Sequence, residues 1–414
     1  MPGLSDAVRR HRLDALRRAM DQADVAALAL SGAEWFEFAT NLPLAVQAWE
    51  RPFLVVVPRD GPSAAILPRI AGNRADAQRA RGNLWLDRIV HYGEQPRQSG
   101  RLPLLHQWPE LVAGVLADLG LSRARVGVDA AGALAQAAGL LPQMRVVPAA
   151  RELRPVRLVK HPEEIAAMTL AAGIADAALA RYADEIRPGR LLGELDHRMA
   201  AAAMVDAARL APGRDFQILR FLSLSGPAAA SPHGDGAQSA ATALDDTTTV
   251  TICNVRLDGL SIEDQRTFVL GRPPAELCRA VDTAHAATAA GLAAVVAGKP
   301  LCGVDEAAQA VIERAGFGPY LLHRTGHGIG VGTHEIPEDM PFDPRPILAG
   351  EVLVVEPGIY IPGVGAARFV DVAVAGRRAT VLTQANRNSH DRGDSSGDVD
   401  GGRDAGIRDG GLRP

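Results

Sequence analysis

The chain has 414 residues, a net charge of -4, and 47% hydrophobic against 22% charged residues. This length allows two domains, and the balance is typical of a soluble globular protein. No basic block of the kind that binds nucleic acid is present, and apolar stretches such as Val25–Leu30 are too short to cross a bilayer. Three cysteines without CxxC spacing indicate reduced thiols. We therefore expect a cytoplasmic protein that acts on a small molecule, without nucleic acid or membrane partners.

The first 155 residues alternate between helical and strand patterns. A surface helix is predicted at Leu4–Met20 with Ser5 as its N-cap, and an apolar strand follows at Val25–Leu30. A later helix is predicted from about Pro109 to Leu119. This alternation predicts one α/β domain over residues 1–155.

A second domain is predicted over residues 156–384. Pro162, followed by two glutamates, is a typical helix start, and the helix should continue to about Glu185. Two helices followed by strands then occur twice in succession, which indicates an α+β domain with a duplicated order of elements. The tail, residues 385–414, has almost no apolar side chains and is predicted to be disordered.

The segment 323–335 concentrates three histidines and four glycines in thirteen residues. Glycine fills no volume and costs backbone entropy, so this density indicates a close approach to the backbone. The glycines would allow a turn or bulged strand to carry His327 and His334 into a cavity at unusual dihedral angles. A tight connection with solvated histidines is the alternative interpretation.

Three other stretches carry chemically useful side chains. One is a Gly/Pro-rich loop that contains His233, the second is a β-rich segment with Glu263, and the third is an apolar strand that ends at Glu356. An imidazole titrates near neutrality, so a loop histidine can take a proton and return it. An ordinary exposed loop histidine is the alternative for His233.

Several of these motifs together resemble the pita-bread superfamily of Xaa-Pro aminopeptidases, prolidases, methionine aminopeptidases and creatinase. The resemblance lies in HRTGHGIG at residues 323–330 and VVEPGIY at residues 354–360, with further similarity at residues 50–53 and 160–165. It implies an α/β N-terminal domain, a pita-bread catalytic domain of the α+β class, and a homodimer.

The metal-dependent members of this superfamily hold two divalent ions with two aspartates, one histidine and two glutamates. The resemblance places three of these positions on Glu263, His327 and Glu356. The other two positions fall on Ile252 and Val370, which cannot bind a metal. Two dications would lack two of their balancing charges, so we expect no cofactor.

A register slip could supply other carboxylates to the site. Asp258 and Asp264 are close enough in sequence to Glu263 to replace the missing ligands. Asp371 follows Val370 directly, but a regular strand would point the two side chains to opposite faces. These aspartates keep a metal site open as an alternative.

The resulting hypothesis is a metal-independent hydrolase that cleaves an amide, peptide or amidine-type C–N bond in a small or dipeptide-like substrate. Similarity to creatinase-like and ectoine-hydrolase-like members implies that His233 is the general acid and base. The catalytic role of His327 and His334 would be to position and polarise the reacting carbon. Substrate binding is expected of three charged side chains: Glu263, Glu356 and Arg368.

Three alternatives stay open. The first is a metal-dependent Xaa-Pro aminopeptidase or prolidase-like peptidase that holds manganese or another divalent metal on Glu263, His327 and Glu356. The second is a binding protein that has lost catalysis, although the retained histidines argue against it. The third is a non-hydrolytic enzyme of a specialised pathway.

Overall fold

The computed structural model describes residues 3–95, 104–234, 236 and 240–386. The predicted disordered tail lies outside these residues from 387 onward. The helices are α1 (Asp6–Ala23), α2 (Ala33–Thr40), α3 (Gly72–Ala80), α4 (Leu104–Asp118), α5 (Ala135–Ala138), α6 (Ala150–Leu153), α7 (Pro162–Glu185), α8 (Leu192–Leu210), α9 (Ala275–Ala294) and α10 (Cys302–Arg314). The strands are β1 (Ala27–Leu30), β2 (Leu54–Pro58), β3 (Ala64–Pro68), β4 (Arg88–Tyr92), β5 (Arg125–Val128), β6 (Arg145–Pro148), β7 (Phe216–Ser225), β8 (Thr247–Leu257), β9 (Leu260–Leu270), β10 (Gly326–Gly328), β11 (Val352–Val355), β12 (Gly358–Ile361), β13 (Gly365–Arg368), β14 (Asp371–Val374) and β15 (Thr380–Val381).

The N-terminal part is a six-stranded mixed sheet with helices on both faces. Its strand order is β4-β3-β2-β1-β5-β6, and β1 pairs antiparallel with β2 and parallel with β5. Leu28 and Val55 join one apolar core, while Ala29 and Val56 join the other, so successive residues are buried on opposite faces. The central strands are therefore apolar at every position, as expected for a sheet covered on both sides.

The predictions for this part are confirmed for α1 and revised for α4. Ser5 caps α1, and its side chain accepts a hydrogen bond from the Ala7 backbone. Helix α4 begins at Leu104, before the predicted start at Pro109, and the proline lies inside the helix. The prediction was wrong because proline favours the first turn of a helix but does not mark it: this helix continues through Pro109, which donates no backbone hydrogen bond.

Helix α7 begins where the sequence predicts and anchors the second domain. His161 and Glu164 form a capping box: the imidazole accepts from the Glu163 backbone, and the Glu164 carboxylate accepts from the His161 backbone. Glu164 also pairs with buried Arg12 of α1 at 2.7 Å, which ties the first helix to the second domain. Helix α7 is long and apolar enough to cross a membrane by length and composition, yet half of its most apolar window is buried inside the protein.

The long hairpin β8–β9 presents two different faces. Cys253 and Ile262 belong to the core that also contains the apolar residues of α7. The alternate residues face the other way, where Asn254 lies opposite Glu263 in the antiparallel register. The hairpin thus directs its polar face toward the second sheet of the domain, β10-β11-β14-β15.

The single strand predicted around residues 368–374 is two strands. Strand β13 ends at Arg368 and pairs with β12, whereas β14 starts at Asp371 and pairs with β11. Val370 lies between them and exchanges backbone hydrogen bonds with Gln265 of β9. The apolar pattern continues through this break because Phe369 and Val370 are both fully buried, so the sequence gives no signal of it.

Asp196 of α8 makes folding stability dependent on pH. Its buried carboxyl accepts hydrogen bonds from the Ser223 hydroxyl and backbone N–H, and burial raises its pKa to about 6. The folded state then binds a proton that the unfolded state has lost, so the contribution of Asp196 to stability is fully present below about pH 4 and is lost between about pH 4 and pH 6. We expect a loss of roughly 2–3 kcal/mol over this window.

Asp196→Asn should remove this pH dependence, because the amide keeps the size of the side chain and cannot ionise. Urea unfolding of both proteins between pH 4 and pH 7 measures the difference. An unchanged slope in the variant would show that Asp196 does not cause it.

Candidate active site

Three strands bring their polar side chains together around His327. In the β10–β11 pairing His327 lies opposite Val354, and Glu356 follows the end of β11. The Nε2 atom of His327 lies 3.4 Å from Glu356 Oε1 and 3.6 Å from Oε2 of Glu263 on β9. The strand pairing therefore assembles one imidazole and two carboxylates from distant parts of the chain.

The His327 ring has one fixed and one free nitrogen. Its Nδ1 atom lies 2.8 Å from the Gly328 carbonyl oxygen and donates to it. Its Nε2 atom is buried and has no hydrogen-bond partner among the described residues, since both carboxylates lie beyond ordinary N–H···O distance. An imidazole held at Nδ1 by a carbonyl, with Nε2 aimed at two carboxylates, has the arrangement of a metal ligand.

The charges of this cluster compensate one another. Burial disfavours the charged imidazole, but the negative charges of Glu263 and Glu356 close to Nε2 outweigh it and raise the pKa of His327 to about 10. Burial likewise opposes ionisation of Glu356, but His327, His323 and Arg368 lower its pKa to about 2. Two buried carboxylates here thus require a positive charge between them.

His334 lies over this cluster and closes it toward solvent. Its ring stacks on His327 with a centroid distance of 3.9 Å and an interplanar angle of 17°. The side chain is 58% exposed, and its Nε2 atom lies 3.9 Å from Glu263 Oε1. Partial burial and the neighbouring His327 lower its pKa, so His334 is neutral at pH 7. The structure thus brings together the four predicted residues His327, His334, Glu263 and Glu356.

The glycines around His327 provide space. A Cβ atom on Gly326 would lie 1.9 Å from the Val354 carbonyl oxygen, and one on Gly328 would lie 2.1 Å from the Ile336 carbonyl oxygen. The prediction of unusual dihedral angles was wrong, because none of the four glycines between 326 and 332 has a positive φ. The strand carrying His327 fits because it is flanked by residues without side chains.

A second polar group lies behind Glu356 and joins the predicted Arg368 to His323 and Tyr360, for which no role was predicted. The role of Arg368 in substrate binding stays a prediction. His323 donates from Nδ1 to the Arg324 carbonyl, so its Nε2 atom accepts from the Tyr360 hydroxyl at 2.7 Å. Arg368 donates to the same hydroxyl at 3.1 Å and to the Pro232 carbonyl at 3.2 Å. Arg368 is buried, and these protein partners occupy two of its nitrogens. Tyr360 belongs to the motif at residues 354–360, but the motif does not indicate that its hydroxyl contacts His323 and Arg368.

His233 lies at the rim of the site. Its side chain is exposed on the turn after the short 3-10 helix Gly226–Ala230, and its carbonyl accepts a hydrogen bond from Arg220. Pro232, the residue before it, contacts Arg368. The structure gathers the carboxylate–histidine cluster without the His233 side chain, and its predicted role in proton transfer stays a prediction.

The two apolar positions in the superfamily pattern are both buried. Ile252 is 2% exposed and lies opposite Gln265 in the hairpin, and Val370 is fully buried beside the same Gln265. A second metal ion would meet hydrocarbon at both positions. Asn254, opposite Glu263, donates from its amide to Glu263 Oε1 at 3.0 Å and holds that carboxylate in place.

The aspartates of the register-slip alternative are engaged elsewhere. Asp258 pairs with Arg214 at 2.6 Å, and Asp264 pairs with Arg266 at 2.7 Å. Asp371 pairs with the same Arg266 at 3.0 Å. These contacts lie away from His327, so the three aspartates do not replace the missing ligands.

The remaining donors fit one divalent cation. Ligand atoms of Glu263, His327 and His334 all lie within 4.8 Å of one another, and Glu356 approaches the same His327 nitrogen. Carboxylate oxygens with imidazole nitrogen suit manganese, zinc and similar ions. The charges also match, because two carboxylates neutralise one dication.

Comparison with known proteins places this site in a family. The model of the metallopeptidase family M24 matches residues 166–376, and that of the creatinase/prolidase N-terminal domain matches residues 12–159. The probable dipeptidase PepE of Mycobacterium tuberculosis (strain ATCC 25618 / H37Rv) is 29% identical over 344 residues, which cover 79% of this chain and 82% of the relative.

Solved structures show the same relationship. Dipeptidase PepE from Mycobacterium ulcerans is similar with a TM-score of 0.75 and 26% identity, covering 93% of this chain and 98% of that one. The prolidase from Pyrococcus horikoshii OT3 has the same fold, with a TM-score of 0.74 at 18% identity over 91% of this chain and 99% of that one.

The chain belongs to metallopeptidase family M24, with a creatinase/prolidase N-terminal domain before the catalytic one. The predicted superfamily, the pita-bread fold and the class of hydrolases that act on C–N bonds are confirmed. The expectation of no cofactor is wrong, because the family is a metallopeptidase family and three predicted residues form a group that can hold a metal ion. The sequence shows that carboxylates are missing at Ile252 and Val370. It does not show that Glu263, His327 and His334 lie close together in the fold.

Gly328→Ala should destabilise the fold, because the added methyl group would overlap the Ile336 carbonyl oxygen. Overpacking of this kind costs about 1–3 kcal/mol or more. Gly303→Ala in α10 is the matched control, since a Cβ there meets no atom within 4 Å. Differential scanning fluorimetry should show a lowered Tm only for Gly328→Ala, and equal Tm values would refute the close approach.

Proposed function

We propose that this chain is a metal-dependent dipeptidase that holds one divalent ion and hydrolyses the peptide bond of dipeptide-like substrates. The observation that carries the proposal is the buried Nε2 atom of His327, which faces two carboxylates and has no hydrogen-bond partner within the described part of the chain. Relatives named as probable dipeptidase and prolidase support a short peptide as substrate. The earlier metal-independent hypothesis is replaced.

Glu263, His327 and Glu356 would hold the ion. His334 lies within reach of the same ion, but its side chain is exposed and we assign it to the substrate. When bound, a divalent cation polarises the scissile carbonyl as a Lewis acid and makes water a stronger nucleophile. The chain supplies a fixed set of donors: Asn254 holds Glu263 through its amide, and the Gly328 carbonyl holds the His327 ring. Such supporting contacts keep ligands in one geometry and raise metal affinity.

His334 is the group placed to handle a proton. Hydrolysis adds water to the carbonyl carbon and breaks the C–N bond, and a proton must reach the leaving nitrogen. The His334 ring is neutral at pH 7, lies partly in solvent, and presents Nε2 next to Glu263. We assign to it the contact with the substrate carbonyl and the transfer of this proton: the neutral ring accepts a proton from the attacking water and passes it to the leaving nitrogen.

The number of ions follows from the lost carboxylates. Ile252 and Val370 present hydrocarbon at the positions where a second ion would need charge. The two negative charges of Glu263 and Glu356 balance one divalent ion, and no further negative charge of the described residues is available for a second ion. The predicted homodimer, the cytoplasmic location, and the domain boundaries at residues 155 and 384 stay predictions.

Metal content tests the proposal directly. After loading with Mn²⁺ and gel filtration, the purified chain should hold about one ion as measured by inductively coupled plasma mass spectrometry. His327→Gln should hold almost none, because it loses the central donor. His197→Gln, at an exposed position of α8, is the control and should match the wild type.

Activity should follow the metal. Cleavage of dipeptides such as Ala-Pro, Leu-Pro and Ala-Leu should stop with a chelator and return with Mn²⁺. A wild-type chain without bound metal, or with activity that resists the chelator, would contradict the proposal.

Restoring the two carboxylates should create the second site. The double variant Ile252→Asp/Val370→Glu should raise the Mn²⁺ content from about one to two ions per chain. Ile252→Asn/Val370→Gln matches it in size without charge and should keep one. Buried carboxylates destabilise an empty site, so Mn²⁺ should raise the Tm of the charged variant more than that of the neutral one. Two ions in the wild type would contradict the single-ion site.

A further inference from the structure

Arg324 is a cation beside His334 that forms no ion pair with the part of the chain that the structure describes. It is half-buried, and its Nε atom donates to the Gly326 carbonyl at 3.1 Å, which fixes the guanidinium beside β10. Its Nη2 atom lies 3.5 Å from His334 Nδ1. No carboxylate of the described residues forms an ion pair with it; the Glu338 carboxylate, whose pKa its charge helps to lower, pairs with Arg154.

The neighbouring charges are already used. Arg154 pairs with Glu338 at 2.7 Å and Asp339 at 2.8 Å, so these two loop carboxylates already have a counter-ion. Glu263 and Glu356 face His327 on the other side of the His334 ring. A half-buried guanidinium that forms no ion pair with a carboxylate of the described residues can bind an anion, and its planar fork matches a carboxylate.

The position of Arg324 sets how far that anion lies from the reacting bond. The guanidinium and Glu263 are on opposite edges of His334, with Nη2 at 3.5 Å from one ring nitrogen and Glu263 Oε1 at 3.9 Å from the other. The guanidinium therefore lies within roughly 10 Å of the carboxylate cluster. One residue spans about 3.8 Å, and a hydrogen bond at each end adds about 3 Å. A single residue beyond the scissile bond fills this space.

We propose that Arg324 binds the C-terminal carboxylate of the substrate and thereby selects dipeptides over longer or blocked peptides. The inference rests on the proposed peptidase function and names the residue that limits substrate length. A longer peptide or a C-terminal amide places a neutral group against the guanidinium and leaves the cation uncompensated. Arg368, the other arginine of the site, is buried and bonded to Tyr360 and Pro232.

The test compares a dipeptide with its own C-terminal amide. The best substrate among Ala-Pro, Leu-Pro and Ala-Leu and the corresponding dipeptide amide are assayed with Mn²⁺-loaded enzyme. The wild type should favour the free acid about 10- to 100-fold in kcat/KM, the range expected for a hydrogen bond between charged groups. Arg324→Met should lose this preference through a higher KM for the acid, with the amide almost unaffected.

Two further variants separate the possible causes. Arg324→Lys keeps the charge without the fork and should retain part of the preference. Arg377→Met, at an exposed position between β14 and β15, should behave as the wild type. Thermal unfolding and Mn²⁺ content of Arg324→Met should match the wild type, which shows that the fold and the metal site are intact.

The outcomes distinguish this inference from the proposed function. If the wild type cleaves acid and amide equally, or Arg324→Met keeps the preference, the assignment of Arg324 is overturned while the peptidase function stands. If metal-loaded wild type cleaves none of these peptides, the proposed function fails and the inference falls with it.

Discussion

The structure of the site depends on one constraint: two carboxylates buried together need a cation between them. Glu263 and Glu356 come from different strands and both face the Nε2 atom of His327. In a low-dielectric interior, like charges at this separation would force one carboxyl to become neutral. In the absence of metal a protonated imidazole balances the pair, and a divalent ion would do so with His327 as a ligand. The site is thus a cation site built into the core.

Strand register keeps this arrangement in place. On β9, Glu263 faces His327, whereas Asp264 and Arg266 face the opposite side, where Arg266 also pairs with Asp371. A shift by one residue would exchange these two sets of side chains, since the period of a strand is two. The buried arginine therefore opposes any slip that would bring Asp264 to the metal site.

Local features of the fold were predictable, and contacts between distant segments were not. The start of α7 was visible because Pro162 and the following glutamates act within one turn. His327, His334 and Glu356 were visible through their glycine-rich and apolar surroundings. The break in the strand at Val370 was hidden, because burial keeps the sequence apolar through it. Backbone from other segments packs against Gly326 and Gly328, and Arg324 lies beside His334. Both features depend on contacts between distant segments, which no local sequence pattern encodes.

X-ray diffraction from crystals grown with Mn²⁺, recorded at the manganese absorption edge, tests the central claim most directly. We predict one anomalous peak per chain, within coordination distance of His327 Nε2 and of an oxygen from each of Glu263 and Glu356. Two peaks at the site, or none, would contradict it.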